Sequence, residues 1–217
     1  VGAAAKMVVG KMIARGWIDE VEANLRRGEP MWRETGDGHG TTLVATEAGL
    51  EQQLDFQLRD YRDVDERFDH VVSIEMYEAV GERYWPDYFG AIFRALKPGG
   101  RAAIQAITID DSRFDYYRAN VDFIQEYIFP GGMLASPSVF QAQAEAQGLH
   151  ARVTDFYGAD YARTLMRWDA SVRAASESII TARGSSFYRM WRYYLAYCAA
   201  GFTSGNIDLM QIALQRD

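Results

Sequence analysis

One segment, residues 68–109, constrains the fold of this chain more than any other. It begins with an apolar run rich in β-branched residues, 68–74, which has the length of a buried strand. Residues 85–96 then repeat apolar side chains at helical spacing, and Lys97-Pro98-Gly99-Gly100 supplies residues that end a helix and turn the chain. Residues 101–109 form a second strand-like run. Strand, helix, turn and strand in this order are the repeating unit of a parallel sheet.

The expected fold is therefore α/β: a doubly wound, mostly parallel sheet of the Rossmann-like class I methyltransferase type, with helical additions. Ligands of such sheets bind beyond the carboxyl ends of the strands. Glu75 and Glu78 follow the first predicted strand, and Thr108, Asp110 and Asp111 lie at the end of the second. We expect the functional site near these residues.

The composition narrows the classes of partner. With 217 residues, of which 48% are hydrophobic, the chain can bury the core of one sizeable domain. Its net charge of −7 disfavours nucleic acid as a partner. The single cysteine, Cys198, excludes an internal disulfide framework. No apolar run reaches the ~18 residues of a membrane span, and no secretory signal pattern is recognised. A cytoplasmic protein is expected, and no metal site is predicted.

Residues 1–43 are predicted as an N-terminal helix and loop that precede the main domain, residues 44–217. The helix is predicted over residues 3–27, where apolar side chains recur at four-residue steps. Its first half is basic, so it is either a surface helix packed on the domain or a helix that touches anionic lipid headgroups. The apolar positions that carry this prediction are Ile13, Trp17, Val21 and Leu25.

Two further regions are predicted with less detail. The glycine-rich run Gly36-Asp37-Gly38-His39-Gly40 would cradle a nucleotide only if it followed a buried strand. No strand precedes it, so a flexible connection is favoured. From residue 114 onward the pattern is mostly helical, and the final apolar run, 207–214, is predicted as an edge strand.

Six separate segments carry a family resemblance, and they occur in the family's order. They are LRDYRDV at residues 58–64, VSIEMYEAVG at 72–81, LKPGG at 96–100, YIFPGG at 127–132, GADYARTL at 158–165 and YYLAYC at 193–198. Together they resemble the cyclopropane-fatty-acyl-phospholipid synthases and the mycolic acid cyclopropane synthases, from about Gly49 to the end of the chain.

This resemblance implies an S-adenosylmethionine-dependent methyltransferase that acts on the double bond of an unsaturated phospholipid acyl chain at the membrane surface. The product would be a cyclopropane or a methyl-branched chain. Aromatic helices over residues 114–129 and 187–197 would line a hydrophobic tunnel for the acyl chain. The protein would lie in the cytoplasm, peripheral to the inner face of the membrane, and a homodimer is compatible with the resemblance. The alternatives are a non-catalytic lipid-binding homologue and a small-molecule methyltransferase of the same fold.

The resemblance also implies catalytic residues. Methyl addition to an alkene leaves a carbocation that must lose a proton, and in the family the base is a bound bicarbonate. Glu78 would orient this anion, and Tyr161 would donate to it and present its π face to the cation. Gln105 stands where the family has a bicarbonate-contacting histidine, which argues for weaker or altered anion binding. Cys198 matches a position marked as active-site in the family, although a buried structural thiol is favoured by its aromatic surroundings.

Other roles for the two carboxylates stay open. Without the resemblance, Glu78 is equally explained as a carboxylate that satisfies free N–H groups at a helix N-terminus. That explanation is favoured for Glu75, to which the resemblance assigns no role.

The predicted cofactor-binding residues are Asp60, Tyr61 and Arg62. Tyr61 and Arg62 fit positions that flank the adenine of S-adenosylmethionine in the family. The strand and glycine-rich loop that grip this cofactor are not found. Either the chain joins segments of a longer protein near residues 40–43, or it is a variant that cannot hold the cofactor. The first is favoured, because a sheet without its central strands would expose a large apolar face.

Overall fold

The computed structural model describes residues 6–10 and 56–217. They fall into two compact units, one within Lys6–Asp63 and the other formed by Val64–Asp217. The predicted domain boundary at residue 43, the run at residues 36–40 and most of the predicted N-terminal helix lie outside the described residues.

The helices and strands follow one another in the order expected for an α/β fold. In chain order they are β1 (Lys6–Gly10), β2 (Phe56–Asp60), β3 (Phe68–Ile74), α1 (Tyr77–Val80), α2 (Trp85–Ala95), β4 (Leu96–Ile109), α3 (Phe114–Ala119), α4 (Phe123–Tyr127), α5 (Pro137–Glu145), β5 (Leu149–Phe156), α6 (Gly158–Ala174), α7 (Ser176–Thr203) and β6 (Ile207–Arg216).

The first unit contains a two-stranded antiparallel sheet. Strand β1 pairs with β2, with Lys6 opposite Asp60 and Gly10 opposite Phe56. The helix predicted over residues 3–27 is therefore wrong at residues 6–10. The apolar periodicity behind that prediction came from residues 13–25. The run from Lys6 to Gly10 instead contains consecutive valines, and valine favours an extended strand that pairs with a neighbouring strand.

The second unit is built on a four-stranded sheet in the order β3-β4-β6-β5. Strands β3 and β4 are parallel, and β6 is antiparallel to both β4 and β5. Three strands thus run in one direction and β6 runs against them, as a mostly parallel α/β sheet requires. The strand predicted at residues 68–74 is confirmed, and the helix predicted at 85–96 forms over Trp85–Ala95. The strand predicted at residues 101–109 also forms, but β4 begins at Leu96, so it includes residues 97–100, which were predicted as a turn.

The final strand differs from its prediction. The run at residues 207–214 was expected at an edge of the sheet, but β6 lies between β4 and β5. Its position follows from pairing on both sides, with Ile212 opposite Ile104 on one strand and Val153 on the other. Strand β5 itself, within a region predicted as mostly helical, was missed.

An aromatic core joins helix α2 to its neighbours. Tyr77 lies 4.7 Å from Phe140 and 5.3 Å from Trp85, measured between ring centroids. The hydroxyl of Tyr88 donates to Ser73 Oγ of strand β3 over 2.9 Å, and both residues are buried. Aromatic rings bury large areas and add edge-to-face attraction. This packing fixes helices α1 and α2 against the end of strand β3.

A second cluster holds α6 and α7 together beside β6. Its buried members are Ala162, Leu165, Leu195, Phe202 and Leu209, and Ile107, Tyr161, Tyr194 and Cys198 pack against it. Within the ranges that the structure covers, no helix is both long and apolar enough to span a bilayer.

Candidate active site

The end of strand β3 is shaped by an unusual backbone conformation. Glu75 has a φ of 49°, in the left-handed region that residues other than glycine rarely adopt. Its N–H donates to the carbonyl oxygen of Gln105 over 2.9 Å, which continues the pairing of Ile74 with Gln105. Such a conformation costs about 1–3 kcal/mol and persists where surrounding contacts hold it in place. The contacts of the Glu75 side chain supply that restraint.

The Glu75 carboxylate joins two residues predicted for the site. Its Oε2 accepts a hydrogen bond from the hydroxyl of Tyr161 over 2.7 Å, and its Oε1 accepts from Gln105 Nε2 over 3.0 Å. Gln211 Nε2 donates to Gln105 Oε1 over 3.0 Å, which fixes the orientation of the Gln105 amide. We call Glu75, Gln105 and Tyr161 the carboxylate cluster.

Glu78 projects from the first turn of α1 toward strand β4. Its Oε1 accepts a hydrogen bond from the backbone N–H of Ile107, whereas Oε2 is shut off from solvent and has no hydrogen-bond partner among the described residues. Burial, with a smaller contribution from the nearby charge of Glu75, raises the pKa of the Glu78 carboxyl to about 7. The N-cap of α1 is Met76, which makes no side-chain capping bond, and Glu78 follows in the first turn of the helix.

A glycine-containing loop holds α1 in place. The N–H of Met133 donates to the carbonyl oxygen of Glu78 over 2.9 Å. At Gly81, where φ is 80°, a Cβ atom would lie 3.0 Å from the carbonyl oxygen of Gly131. The segment YIFPGG that carried the resemblance therefore packs directly on the helix that presents Glu78.

Helix α6 presents Tyr161, and Gly158 permits its start. The N–H of Gly158 donates to Asp208 Oδ1 over 2.7 Å, and a Cβ atom at this position would come within 2.5 Å of that oxygen. The Tyr161 ring then packs 4.8 Å from the ring of Phe202. Burial, followed by the charge of Glu75, raises the pKa of the Tyr161 hydroxyl far above its usual range, so it stays protonated and acts as a donor.

Cys198 lies near this site but is not activated. Burial raises the pKa of its thiol to about 12, and the charge of Asp122 adds to the effect. A neutral thiol is a poor nucleophile. Its packing beside Tyr194 against the α6–α7 cluster agrees with the structural role favoured by its aromatic surroundings, and its part in catalysis stays a prediction.

The three predicted cofactor residues lie in the unit within Lys6–Asp63. Arg62 Nη2 contacts Asp60 Oδ2 at 2.6 Å, and this hydrogen bond lowers the pKa of the Asp60 carboxyl to about 2. Tyr61 is buried, and the guanidinium carbon of Arg62 lies 5.8 Å from its ring centroid. Their role beside an adenine stays a prediction.

The contacts within the carboxylate cluster show whether the site has room and free donors for the predicted bicarbonate ion. Tyr161 and Gln105, the two side chains expected to hold that anion, already donate to the carboxylate of Glu75. A further anion at the same place would lie against Glu75 and Glu78 and would find these donors engaged. The described residues therefore do not fit a bound bicarbonate. Sequence analysis placed Glu75 near the site but favoured a role at a helix N-terminus, whereas its carboxylate accepts hydrogen bonds from both of these side chains.

Comparison with known proteins finds one matching family and several relatives. A family profile described as mycolic acid cyclopropane synthetase matches residues 39–212. The chain is 42% identical over 175 residues to the tuberculostearic acid methyltransferase UfaA1 of Mycobacterium tuberculosis, covering 78% of this chain and 40% of the relative. It is 37% identical over 186 residues to the cyclopropane-fatty-acyl-phospholipid synthase of Escherichia coli, covering 82% and 47%. The chain thus spans less than half the length of either relative.

Solved structures agree on the fold. The crystal structure of mycolic acid cyclopropane synthase CmaA1 complexed with SAH and CTAB matches with a TM-score of 0.67 and 30% identity, over 74% of this chain and 59% of that one. A putative sarcosine dimethylglycine methyltransferase from Galdieria sulphuraria reaches the same TM-score of 0.67 at 15% identity, which shows the fold alone. The predicted class I methyltransferase fold is confirmed.

Proposed function

From the premise that this chain belongs to the mycolic acid cyclopropane synthetase family, we propose that it is an S-adenosylmethionine-dependent methyltransferase. The acceptor is the double bond of an unsaturated phospholipid acyl chain, and the product is a cyclopropane or a methyl-branched chain. The observation that carries this proposal is the carboxylate cluster with Glu78 beside it, at the end of strand β3 and on the adjoining strand β4. Carboxylates beside aromatic faces suit a reaction in which positive charge develops on a hydrocarbon.

S-adenosylmethionine supplies an electrophilic methyl group. The residues present fit a sulfonium cation, because the carboxylate of Glu75 lies beside Tyr161, whose ring packs against that of Phe202. Tyr61 and Arg62 would hold the adenine, by the aromatic and cationic contacts that the resemblance implies.

The chain's own side chains provide the charge that this chemistry needs. An aromatic face attracts a cation by about 0.5–2 kcal/mol, and Tyr161 offers such a face next to Glu75. Glu78, in its ionised form, adds a second negative charge on a carboxylate whose Oε2 is closed to solvent. Fixed charges in such a site are typically worth about 10²-fold or more in turnover. The enzyme thereby stabilises an intermediate that water would otherwise trap.

An exposed aromatic surface on α4, α7 and the loop after α4 is proposed to meet the lipid. Tyr127, Phe129 and Tyr193 are 63%, 52% and 54% exposed, which is unusual for large aromatic side chains. The ring of Phe123 lies 4.7 Å from that of Tyr193 and 5.5 Å from that of Tyr127, so the surface is continuous. Tyrosine rings favour the boundary between headgroups and hydrocarbon. We propose that the protein docks at the membrane face through this surface.

The acyl substrate is proposed from the relatives. Their names include tuberculostearic acid, cyclopropane-fatty-acyl-phospholipid and sphingolipid enzymes, so lipid is common to them and the phospholipid headgroup is the finer inference.

The test uses the full-length protein and radiolabelled methyl donor. Vesicles of mono-unsaturated phospholipid should gain label in the acyl chain, and vesicles of the saturated analogue should gain none. Label in a soluble acceptor instead of lipid would identify a small-molecule methyltransferase. Vesicle binding without any methyl transfer would identify a non-catalytic lipid-binding homologue.

A further inference from the structure

We propose that Glu75 is the proton acceptor of this reaction, a carboxylate carried by the chain in the place of a separately bound anion. This inference rests on the proposed function, because it names the base of the same site. It begins from a residue to which the family resemblance assigns no role and which the structure places at the centre of the cluster.

Both oxygens of the Glu75 carboxylate are held by neutral donors. Tyr161 donates to Oε2 and Gln105 to Oε1, at 2.7 Å and 3.0 Å. A bicarbonate in the same position would present an equivalent pair of oxygens to the same pair of donors. The carboxylate therefore occupies the position that the donors define, and its orientation is fixed before a substrate arrives.

The backbone at Glu75 supports a functional role. A glutamate with a φ of 49° is strained, and glycine would adopt this conformation without cost. Strained residues of this kind cluster at active sites, where the position of a side chain is worth the loss of stability. In this conformation the Glu75 carboxylate accepts a hydrogen bond from Tyr161, which lies 86 residues further along the chain.

The second carboxyl group is a poorer candidate for the base. Glu78 Oε1 is engaged by the N–H of Ile107, and Oε2 is closed to solvent. With a pKa of about 7, the Glu78 carboxyl also retains a proton for part of the time at neutral pH. Glu75 is exposed, so a substrate can reach its carboxylate. The geometry assigns proton removal to Glu75 and charge stabilisation to Glu78.

The proposed step balances without a further reactant. After the methyl group has bonded to one alkene carbon, the neighbouring carbon is positively charged. A Glu75 oxygen takes a proton from the added methyl group, and the electron pair of that C–H bond forms the bond that closes the ring. Glu75 becomes a neutral carboxylic acid, and it returns the proton to water after the product leaves.

The experiment removes the carboxylate and offers small anions in its place. Glu75→Gly suits the left-handed backbone and leaves Tyr161 and Gln105 free to donate. Lipid methylation is measured in buffer stripped of carbon dioxide, then with added bicarbonate or formate. Binding of ¹³C-bicarbonate, followed by NMR line broadening, gives a readout that does not depend on turnover. Glu145→Gln, at an exposed glutamate in α5, is the matched control.

We expect the wild type to be fully active without bicarbonate and to leave its NMR line unchanged. Glu75→Gly should lose about 10²-fold or more in turnover, regain activity with bicarbonate or formate, and broaden the bicarbonate line. Glu75→Gln, which keeps the shape of the side chain, should fold and lose turnover without rescue; it serves if the glycine variant fails to fold.

Two results would overturn the inference. One is a wild type that needs added bicarbonate, and the other is a Glu75→Gln variant with wild-type turnover in stripped buffer. A wild type that never methylates lipid would instead refute the proposed function. In that case the NMR comparison still decides whether the Glu75 carboxylate fills an anion site.

Discussion

Replacing Glu78 by glutamine should make the protein more stable at alkaline pH and slower as an enzyme. Glutamine has nearly the same shape, and its Oε1 can still accept the N–H of Ile107, but it carries no charge at any pH. The difference in the free energy of unfolding between the two proteins therefore measures the cost of burying the charged carboxylate. In the described part of the chain, Oε2 of that carboxylate has no hydrogen-bond partner.

The magnitude follows from the pKa of Glu78. Its ordinary value is 4.5, and burial raises it to about 7 in the folded protein. Below pH 4.5 the carboxyl is protonated in both states, so it costs nothing. Between pH 4.5 and 7 the unfolded chain releases the proton and the folded protein keeps it, so the free energy of unfolding falls as pH rises. Above pH 7 the full loss is about 3 kcal/mol.

Urea denaturation of the wild type and of Glu78→Gln, followed by tryptophan fluorescence between pH 4.5 and 8.5, measures this difference. The two proteins should be similar at the acid end, and the variant should be more stable by about 3 kcal/mol at the alkaline end. For a protein of this size that corresponds to about 6–12 °C in melting temperature. Turnover of the variant should fall by about 10²-fold.

The control is Glu145→Gln, an exposed glutamate whose replacement should leave the pH dependence of stability unchanged. If the stability of the wild type and that of Glu78→Gln fall in parallel from pH 4.5 to 8.5, the carboxyl of Glu78 is not desolvated. The assignment of a buried, partnerless charge at this position would then be refuted.

Three further outcomes are expected. Tyr161→Phe keeps the ring but removes the hydrogen-bond donor to Glu75. Because hydrogen bonds to charged groups are worth about 1.5–3 kcal/mol, turnover should fall about 10-fold or more in the vesicle assay. Unchanged turnover would contradict a functional role for the carboxylate cluster. Tyr61→Ala should weaken S-adenosylmethionine binding by about 1–2 kcal/mol in calorimetry. The control Tyr116→Ala, at an exposed tyrosine, should bind the cofactor like the wild type. If Tyr61→Ala binds as tightly as the wild type, Tyr61 does not contact the adenine. Tyr127→Ser with Tyr193→Ser should reduce vesicle flotation several-fold, and flotation as strong as that of the wild type would exclude the aromatic surface as the docking face.

The central βαβ unit could be predicted because its elements are defined locally. The strand at residues 68–74 and the helix that follows depend on hydrophobic periodicity and on stop signals within a few residues. The position of β6 could not be predicted in this way. Pairing with both β4 and β5 is a property of the assembled sheet, and an apolar ten-residue strand reads the same at an edge or in the middle.

Part of the candidate site could likewise be predicted from the sequence, and part could not. Tyr161 and Glu78 were found through family segments, and Gln105 as a departure from the family's histidine. The structure brings Tyr161 and Gln105 onto one carboxylate. The role of Glu75 was missed because it depends on a left-handed backbone and on a partner far away in the sequence. A glutamate after a strand is equally typical of a solvated loop. Only the three-dimensional arrangement shows that its carboxylate accepts hydrogen bonds from Tyr161 and Gln105, two side chains predicted to contact an anion.

The measurement that tests the account most directly is mass spectrometry of acyl chains after turnover with a methyl-deuterated donor. The full-length protein is incubated with vesicles of mono-unsaturated phospholipid. The account predicts that the acyl chain gains the donor carbon and that a cyclopropane product has lost one deuterium from it, because Glu75 removes a proton from the added methyl group. Acyl chains without deuterium, while a soluble acceptor becomes labelled, would contradict it.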